Sequence, residues 1–329
     1  MNRITVSAPG KLMLLGEHAV VYNHPCLVTA VDQRMRATVE ILDVPEFQLE
    51  ATDVKVTGYK KPLSELGKGD VPKGAKFVEV AVANLLGRSR NKFGMTGKKG
   101  LKITTTSEFS SQFGFGSSSA STVCTIKAVS EILGLNLSNK EIFDLSYKTV
   151  LDIQRKGSGF DVAAAVYGGI LYFVTGGKVI EPLDIESLPL IVGYSGVKAD
   201  TVTLINKVKE SFVNRQDRLS EIYNAIEVLV NNAKDALLKI DWKTFGKLMN
   251  QNQELLSELG VSIEKLDNMI DSALTAGAYG AKLSGAGGGD CMISVSSEEK
   301  KEAVKKGIIK AGGEIISVAA NAEGVRIEK

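Results

Sequence analysis

The segment Phe113–Thr122 reads FGFGSSSAST. Gly114 and Gly116 are followed directly by Ser117, Ser118 and Ser119, and then by an apolar series at helical spacing: Val123, Ile126, Val129, Ile132 and Leu133. Gly134 stands where a helix would stop. This order predicts a glycine–serine loop feeding straight into a helix N-terminus. Such an end presents unpaired backbone N–H groups and the positive pole of the helix dipole, which suits an anion and phosphate above all. Glycines let the backbone approach the ligand, and serine hydroxyls add donors or a metal ligand. Read alone, the same residues also make a serine-capped helix after a flexible turn. The loop is not a P-loop, because no lysine followed by Ser or Thr closes it. Nor is it a dinucleotide fingerprint, because Ser119 stands in place of the third glycine of GxGxxG.

Composition narrows the class. The chain has 329 residues, enough for two domains or one large one, with 44% hydrophobic and 24% charged residues. A net charge of +2 from 40 basic and 38 acidic residues points to neither a nucleic-acid nor a membrane-surface partner. Cys26, Cys124 and Cys291 are too widely spaced for a disulfide framework or a zinc site, and suit a reducing, cytoplasmic setting. The opening residues, MNRITVSAPGK, lack a signal peptide's apolar core, and no apolar run is long enough to span a bilayer. Only two histidines occur, His18 and His24. Base chemistry therefore falls more readily to Asp, Glu or Lys than to a histidine-centred triad.

Outward from the loop, several elements are expected. Ile4–Val6 reads as a short strand, SAPGK (residues 7–11) as a turn, and Leu12–Leu15 as a buried strand ended by Gly16. Lys11 and the pair Glu17–His18 flank that run; taken alone, they are a surface lysine and a helix-capping glutamate. Cys26–Leu42 reads as one or two strands. Thr52–Lys76, polar and rich in lysine and glycine, reads as an excursion or lid. Phe77–Leu86 looks helical, and Leu101–Thr105 alternates like a strand. Ser138 with Glu141 announces a capped helix with Ile142, Leu145, Thr149, Val150 and Ile153 inward. It runs into KGSGFDVAAAVYGG (residues 156–169), where Asp161 sits on a glycine-rich bend able to approach a ligand; alternatively, Asp161 simply caps the following helix. Ile170–Val174 is a β-type run. Composition shifts near Val179–Pro189. Beyond it come a strand (Leu190–Tyr194), four helices (about 200–212, 218–240, 242–259 and 263–276), two strands (281–283 and 291–295), a helix capped by Ser296 with Glu299, and a closing strand (314–318). That order implies an antiparallel α+β layer. Between the two strands, SGAGGGD (residues 284–290) holds more glycine than a hairpin requires, so backbone there passes close to something.

The three glycine-bearing motifs, SAPGKLMLLGEHAVVY, FGFGSSSAS and KLSGAGGGDC, in this order along essentially the whole chain, resemble those of the GHMP kinases (galactokinase, homoserine kinase, mevalonate kinase and phosphomevalonate kinase). The resemblance implies an α+β fold of two domains: an N-terminal ribosomal-protein-S5-like domain with a left-handed βαβ crossover, placed at residues 1–183, and a C-terminal ferredoxin-like domain, at 184–329. The segments GEHAVVY, VGYSGVKADT (192–201), LMNQNQELLSELGVS (248–262) and AGAYGAKLSGAGGG (276–289) are most similar to the mevalonate kinases of the family. The implied reaction is transfer of the γ-phosphate of ATP to the 5-hydroxyl of mevalonate, with Mg²⁺. Carried across by motif, Gly114, Gly116, Ser117, Ser118 and Ser119 would cradle the ATP phosphates. Ser118 would contact Mg²⁺, with Ser117 as neighbouring candidate. Asp161 would take the proton of the acceptor hydroxyl or orient it, and Lys11 would neutralise charge on Asp161 and on the transferring phosphoryl group. Glu17, His18 and Ser195 would face mevalonate, and Gly287 with its neighbours would support the site wall. Family members are often dimers, which extends the expectation of a homodimer to this chain.

Two departures stand out. A glutamate that usually supplies a second Mg²⁺ ligand, eleven residues before the aspartate, is Val150 here, with Asp152 close by in sequence. GSGFDVAAAVYGG, and an aspartate after GGG (Asp290), look more like phosphomevalonate kinase. Its extra phosphate would call for cations such as Arg155, Lys156 and Lys198. Against these stand two readings from other classes. A nucleotide-dependent dehydrogenase lacks support, because no early βαβ unit with a following acidic residue is seen. A non-catalytic nucleotide-binding module is the other.

Overall fold

The computed structural model describes residues 2–88 and 99–328. Its largest sheet is built around one long strand. β1 (Arg3–Leu15) runs antiparallel to β2 (Pro25–Leu42) along nearly its whole length, and β2 offers its other edge to two partners in turn. These are β5 (Gly100–Ser107), opposite residues 35–42, and β6 (Ile170–Val174), opposite residues 25–29. β3 (Glu46–Ala51) pairs parallel with β5, β4 (Val56–Pro62) closes that edge, and β7 (Val179–Leu183) extends β6. α1 (Lys76–Arg88), α2 (Ser117–Ile132), α3 (Asn139–Gln154) and α4 (Phe160–Tyr167) pack together, with α2 and α4 seated directly on β1 and β2. Phe143 and Phe173, both fully buried, meet edge to face between α3 and the sheet.

A second sheet follows. β8 (Leu190–Tyr194), β9 (Gly280–Ser284), β10 (Cys291–Val295) and β11 (Glu314–Ile316) stand in the order β11-β8-β10-β9, all antiparallel. Between β8 and β9 come α5 (Thr201–Ser211), α6 (Gln216–Leu238), α7 (Trp242–Glu258) and α8 (Glu264–Thr275), and α9 (Glu298–Lys310) joins β10 to β11. This strand order is that of a ferredoxin-like layer. β8, β9 and β10 are buried at every position, which is why they read as short runs without polar alternation.

Four local expectations are corrected. SAPGK is not a turn: β1 passes through it as strand, with a bulge between Pro9 and Gly10. A bulge tolerates a proline because the ladder is interrupted there. Residues 52–76 are not a lid but largely the β3–β4 hairpin arm and the approach to α1; Glu79, wholly buried, holds it through Tyr59, Lys61 and the Gly67 amide. The N-cap of α9 is Ser297, not Ser296, whose hydroxyl instead donates to the Ser297 carbonyl. Residues 317–328 do not stay with the second sheet. Beyond β11 the chain returns to the first, where β12 (Arg326–Ile327) pairs with β1, so a cut at 183/184 assigns this tail to the wrong layer. Buried Arg34 draws it there, donating to the carbonyls of Glu323 (2.7 Å) and Gly324 (2.6 Å) and to Ser7.

Candidate active site

The loop before α2 begins the site. Gly116 is the N-cap of α2 at φ +78°, with no side chain capping the helix. The first N–H returned to a loop carbonyl is that of Ala120, to Gly116, so the amides of Ser117, Ser118 and Ser119 remain at the open end of a 16-residue helix. Gly116 is also closely covered: an added Cβ would lie 3.2 Å from Lys11 Cε. The hydroxyls of Ser117 and Ser118 make no hydrogen bond to the described residues, and both residues are half-buried. Ser119 is turned away: its hydroxyl donates to Asp161 Oδ2.

Asp161 lies in the first turn of α4, which starts from Gly159 at φ +93°. Its Oδ1 accepts from the Val162 amide at 3.0 Å. Lys11, on β1, is locked by its own amide to Phe115 O (3.0 Å) and by its ammonium to Gly114 O (2.7 Å), and it passes over the Phe160 ring at 5.3 Å. Burial lowers the Lys11 pKa, while the fields of Asp161 and Asp290 oppose that fall. No direct Lys11–Asp161 ion pair forms among the described residues; the lysine acts on the aspartate through space.

The second sheet supplies the facing wall. Asp290, at φ +55°, accepts from Lys198 Nζ (3.1 Å) and from the Ala199 amide (3.0 Å). Its Oδ2 lies 2.4 Å from where a Gly114 Cβ would stand, so a glycine at 114 leaves room for the Asp290 side chain. Ser195 is buried and folded onto its own loop, its hydroxyl shared with the Val197 amide and carbonyl. Gly287 passes the Val261 carbonyl, 2.2 Å from an added Cβ, and Gly288 donates to the same carbonyl at 2.7 Å.

Glu17 and His18 form the turn after β1. His18, at φ +59°, donates from Nε2 to Ala286 O at 2.9 Å. Burial lowers its pKa, so the imidazole is held neutral. Glu17 is fully buried on Lys282, a residue not singled out from the sequence. The signal was there: a lysine inside a strand, GAKLS, whose every position is buried.

Other candidates lie outside this cluster. Val150 is buried in α3 and offers no ligand atom. Asp152 bonds Lys148 and Asn84 on the exposed face of α3, so it does not replace the missing carboxylate. Arg155 and Lys156 are exposed at the end of α3, and of the three candidate cations only Lys198 is tied to a residue of the wall. No cluster of three or more His, Cys, Asp or Glu suited to a metal occurs among the described residues. The donors that do fit Mg²⁺ are hard oxygens: the uncommitted Ser118 hydroxyl and the Asp161 carboxylate, at a loop shaped for phosphate oxygens.

A glycine–serine loop opening a helix, with a lysine and an aspartate beneath it and a second α+β layer as wall, is an arrangement suited to phosphoryl transfer. The chain belongs to the GHMP kinase family: residues 77–169 match the GHMP kinases N-terminal domain and residues 233–314 the GHMP kinases C-terminal domain. It is 37% identical to the mevalonate kinase of Thermococcus onnurineus and 35% identical to that of Pyrococcus furiosus, in both cases over 99% of each chain. Among solved structures, the mevalonate kinase of Methanococcus jannaschii superimposes with a TM-score of 0.81 at 30% identity, covering 96% of this chain and 98% of its own.

Proposed function

We propose that this kinase transfers the γ-phosphoryl group of ATP to the 5-hydroxyl of mevalonate. The observation that carries the reading is likeness to mevalonate kinases across 99% of the chain, joined to an Asp161–Ser119 contact directly beneath the phosphate loop. In the step, the hydroxyl oxygen bonds the γ-phosphorus, the bond from that phosphorus to the β–γ bridging oxygen breaks, and ADP leaves. Asp161 orients the hydroxyl and accepts its proton. The Ser117–Ser119 amides hold phosphate oxygens at the positive end of α2. Lys11, fixed by the Gly114 carbonyl, balances the charge gathering between Asp161 and the phosphoryl group. Ser118 and Asp161 would hold Mg²⁺, which when bound neutralises phosphate charge. Glu17 and His18 form the acceptor side, and Ser195 and Gly287 shape the wall behind it. The Asp290–Lys198 pair favours one second reading, 5-phosphomevalonate as acceptor, because Lys198 offers a half-exposed ammonium at the wall.

We also place the enzyme in the cytoplasm, in keeping with three free, buried cysteines, and as a homodimer. No helix among the described residues is long and apolar enough to cross a membrane. The test is a coupled ADP-release assay with Mg-ATP, offering mevalonate and 5-phosphomevalonate side by side, with sedimentation for the oligomer. Turnover on mevalonate alone is expected; turnover on phosphomevalonate alone overturns the substrate assignment.

A further inference from the structure

The two sheets meet along a short polar seam. On one side is the end of β1 and the turn after it; on the other, β9 and the glycine loop that follows. Met13 N donates to Ser284 Oγ at 3.1 Å, and that hydroxyl donates to Met13 O at 2.8 Å. His18 reaches Ala286 O. Between these contacts lies Glu17 on Lys282, the only ion pair among the described residues in which both side chains are 0% exposed.

Stability does not explain this pair. Taking two charges out of water costs several kcal/mol per ion in a real protein, and a well-packed apolar pair of the same volume is as stable or more so. Burial raises the Glu17 pKa and lowers that of Lys282, each opposed by its partner's charge. Nor is Glu17 fully satisfied: its Oε2 is buried and makes no hydrogen bond of good geometry, although the Glu17 and Gly285 amides stand close enough to favour the charged carboxylate. A carboxylate oxygen so poorly paired deep in a seam is costly and calls for an explanation beyond stability.

The turn that Glu17 belongs to is itself held in an unfavourable shape. Gly16 takes φ +104°, open to a glycine, but His18, a non-glycine, is held at φ +59°. A backbone of that kind persists only when its surroundings over-determine it. Two tethers do so here, the Ala286 carbonyl on His18 and the Lys282 ammonium on Glu17. Lys282 is itself pinned, since it also donates to Leu283 O at 2.5 Å.

We propose that Lys282 is a positioning residue for the acceptor side of the site: through Glu17 it fixes the 16–18 turn against β9. This rests on the reading of Glu17 and His18 as the acceptor side. Lys282 touches neither substrate nor nucleotide; it acts on the acceptor through Glu17 alone.

The test is a double-mutant cycle with Lys282→Met, Glu17→Gln and the pair, reading calorimetric mevalonate affinity, KM for mevalonate and for ATP, and Tm. Lys282→Met is expected to weaken mevalonate tenfold or more and leave the KM for ATP within twofold. The pair E17Q/K282M, with no buried charge, is expected to regain Tm over K282M and to bind mevalonate within twofold of E17Q. A purely structural lysine would lower Tm and leave mevalonate affinity at the parent's value, and that result overturns the proposal. So does a double-mutant loss equal to the product of the two single losses. If K282M does not fold, the comparison of E17Q with E17Q/K282M decides: equal affinities support the role, and a further loss refutes it. A parent that fails to bind mevalonate refutes the substrate assignment instead, and the same cycle is then read on 5-phosphomevalonate.

Discussion

Replacing Asp161 with asparagine separates chemistry from architecture. In the structure the carboxylate makes two local hydrogen bonds, accepting from the Val162 amide at 3.0 Å and from the Ser119 hydroxyl. Asparagine keeps Oδ1 for the amide, and its NH₂ donates to Ser119 Oγ, which has lone pairs to accept. The bond count is unchanged, so the cost in stability is about 1 kcal/mol or less, part of it the lost negative charge in the first turn of α4. Asparagine accepts no proton, and a positioned proton acceptor contributes about 10²–10⁴ in rate. At about 1.36 kcal/mol per factor of ten, that is about 2.7–5.4 kcal/mol of transition-state stabilisation. Asp161→Asn is therefore expected to lower kcat by about two to four orders of magnitude, with Tm nearly unchanged. A second consequence is electrostatic. Asp161 is the largest influence opposing the burial that lowers the Lys11 pKa. Without it the ammonium loses its proton at lower pH, and the basic limb of any residual activity moves down. The assay is coupled ADP release against pH at saturating substrates, with Tm by calorimetry. Parent-like kcat in a folded Asp161→Asn enzyme would falsify the assignment of Asp161 to the reacting hydroxyl.

Three further outcomes follow from the same geometry. Gly114→Ala places a methyl 2.4 Å from Asp290 Oδ2 at φ +73°; Tm and ATP affinity should both fall, and adding Asp290→Gly should recover the steric part but not the roughly 1–2 kcal/mol of backbone strain. His18 has its pKa lowered by burial, so between that value and 6.5 the unfolded chain binds more protons than the folded one; Tm should fall on acidification through this window, and His18→Gln should flatten the fall. Arg34→Met strips the charged donors from the Glu323 and Gly324 carbonyls; a loss of about 2–4 kcal/mol is expected by denaturant titration, with kcat per folded molecule retained. Recovery of full stability there would mean that the returning tail does not depend on Arg34.

Much of this molecule is written locally. The helices from α2 to α8 are legible because their apolar residues recur at the helical period, and α3 announces its start through Ser138 and Glu141, a capping box the structure realises in full. The phosphate loop is equally local, since two glycines at positive φ and three serines open one helix. The order of strands and helices after residue 190 already implies an antiparallel layer. Those features depend on neighbours a few residues apart, and one sequence is enough to see them.

What the sequence could not hold is partnership at long range. Pro9 and Gly10 have the composition of a turn, and only the 18-residue partner β2 carries them through as strand. Residues 52–76 have the polarity of a lid until the buried Glu79 gathers Tyr59, Lys61 and the Gly67 amide. Glu17 finds its counter-ion 265 positions away, Gly114 meets Asp290, and the tail after β11 goes back to β1. Some of these contacts form within the first sheet and the helices on it, and others only where the second sheet packs against it. Composition and periodicity determine which pieces form; the burial of their apolar faces decides which charges and backbones are left facing one another.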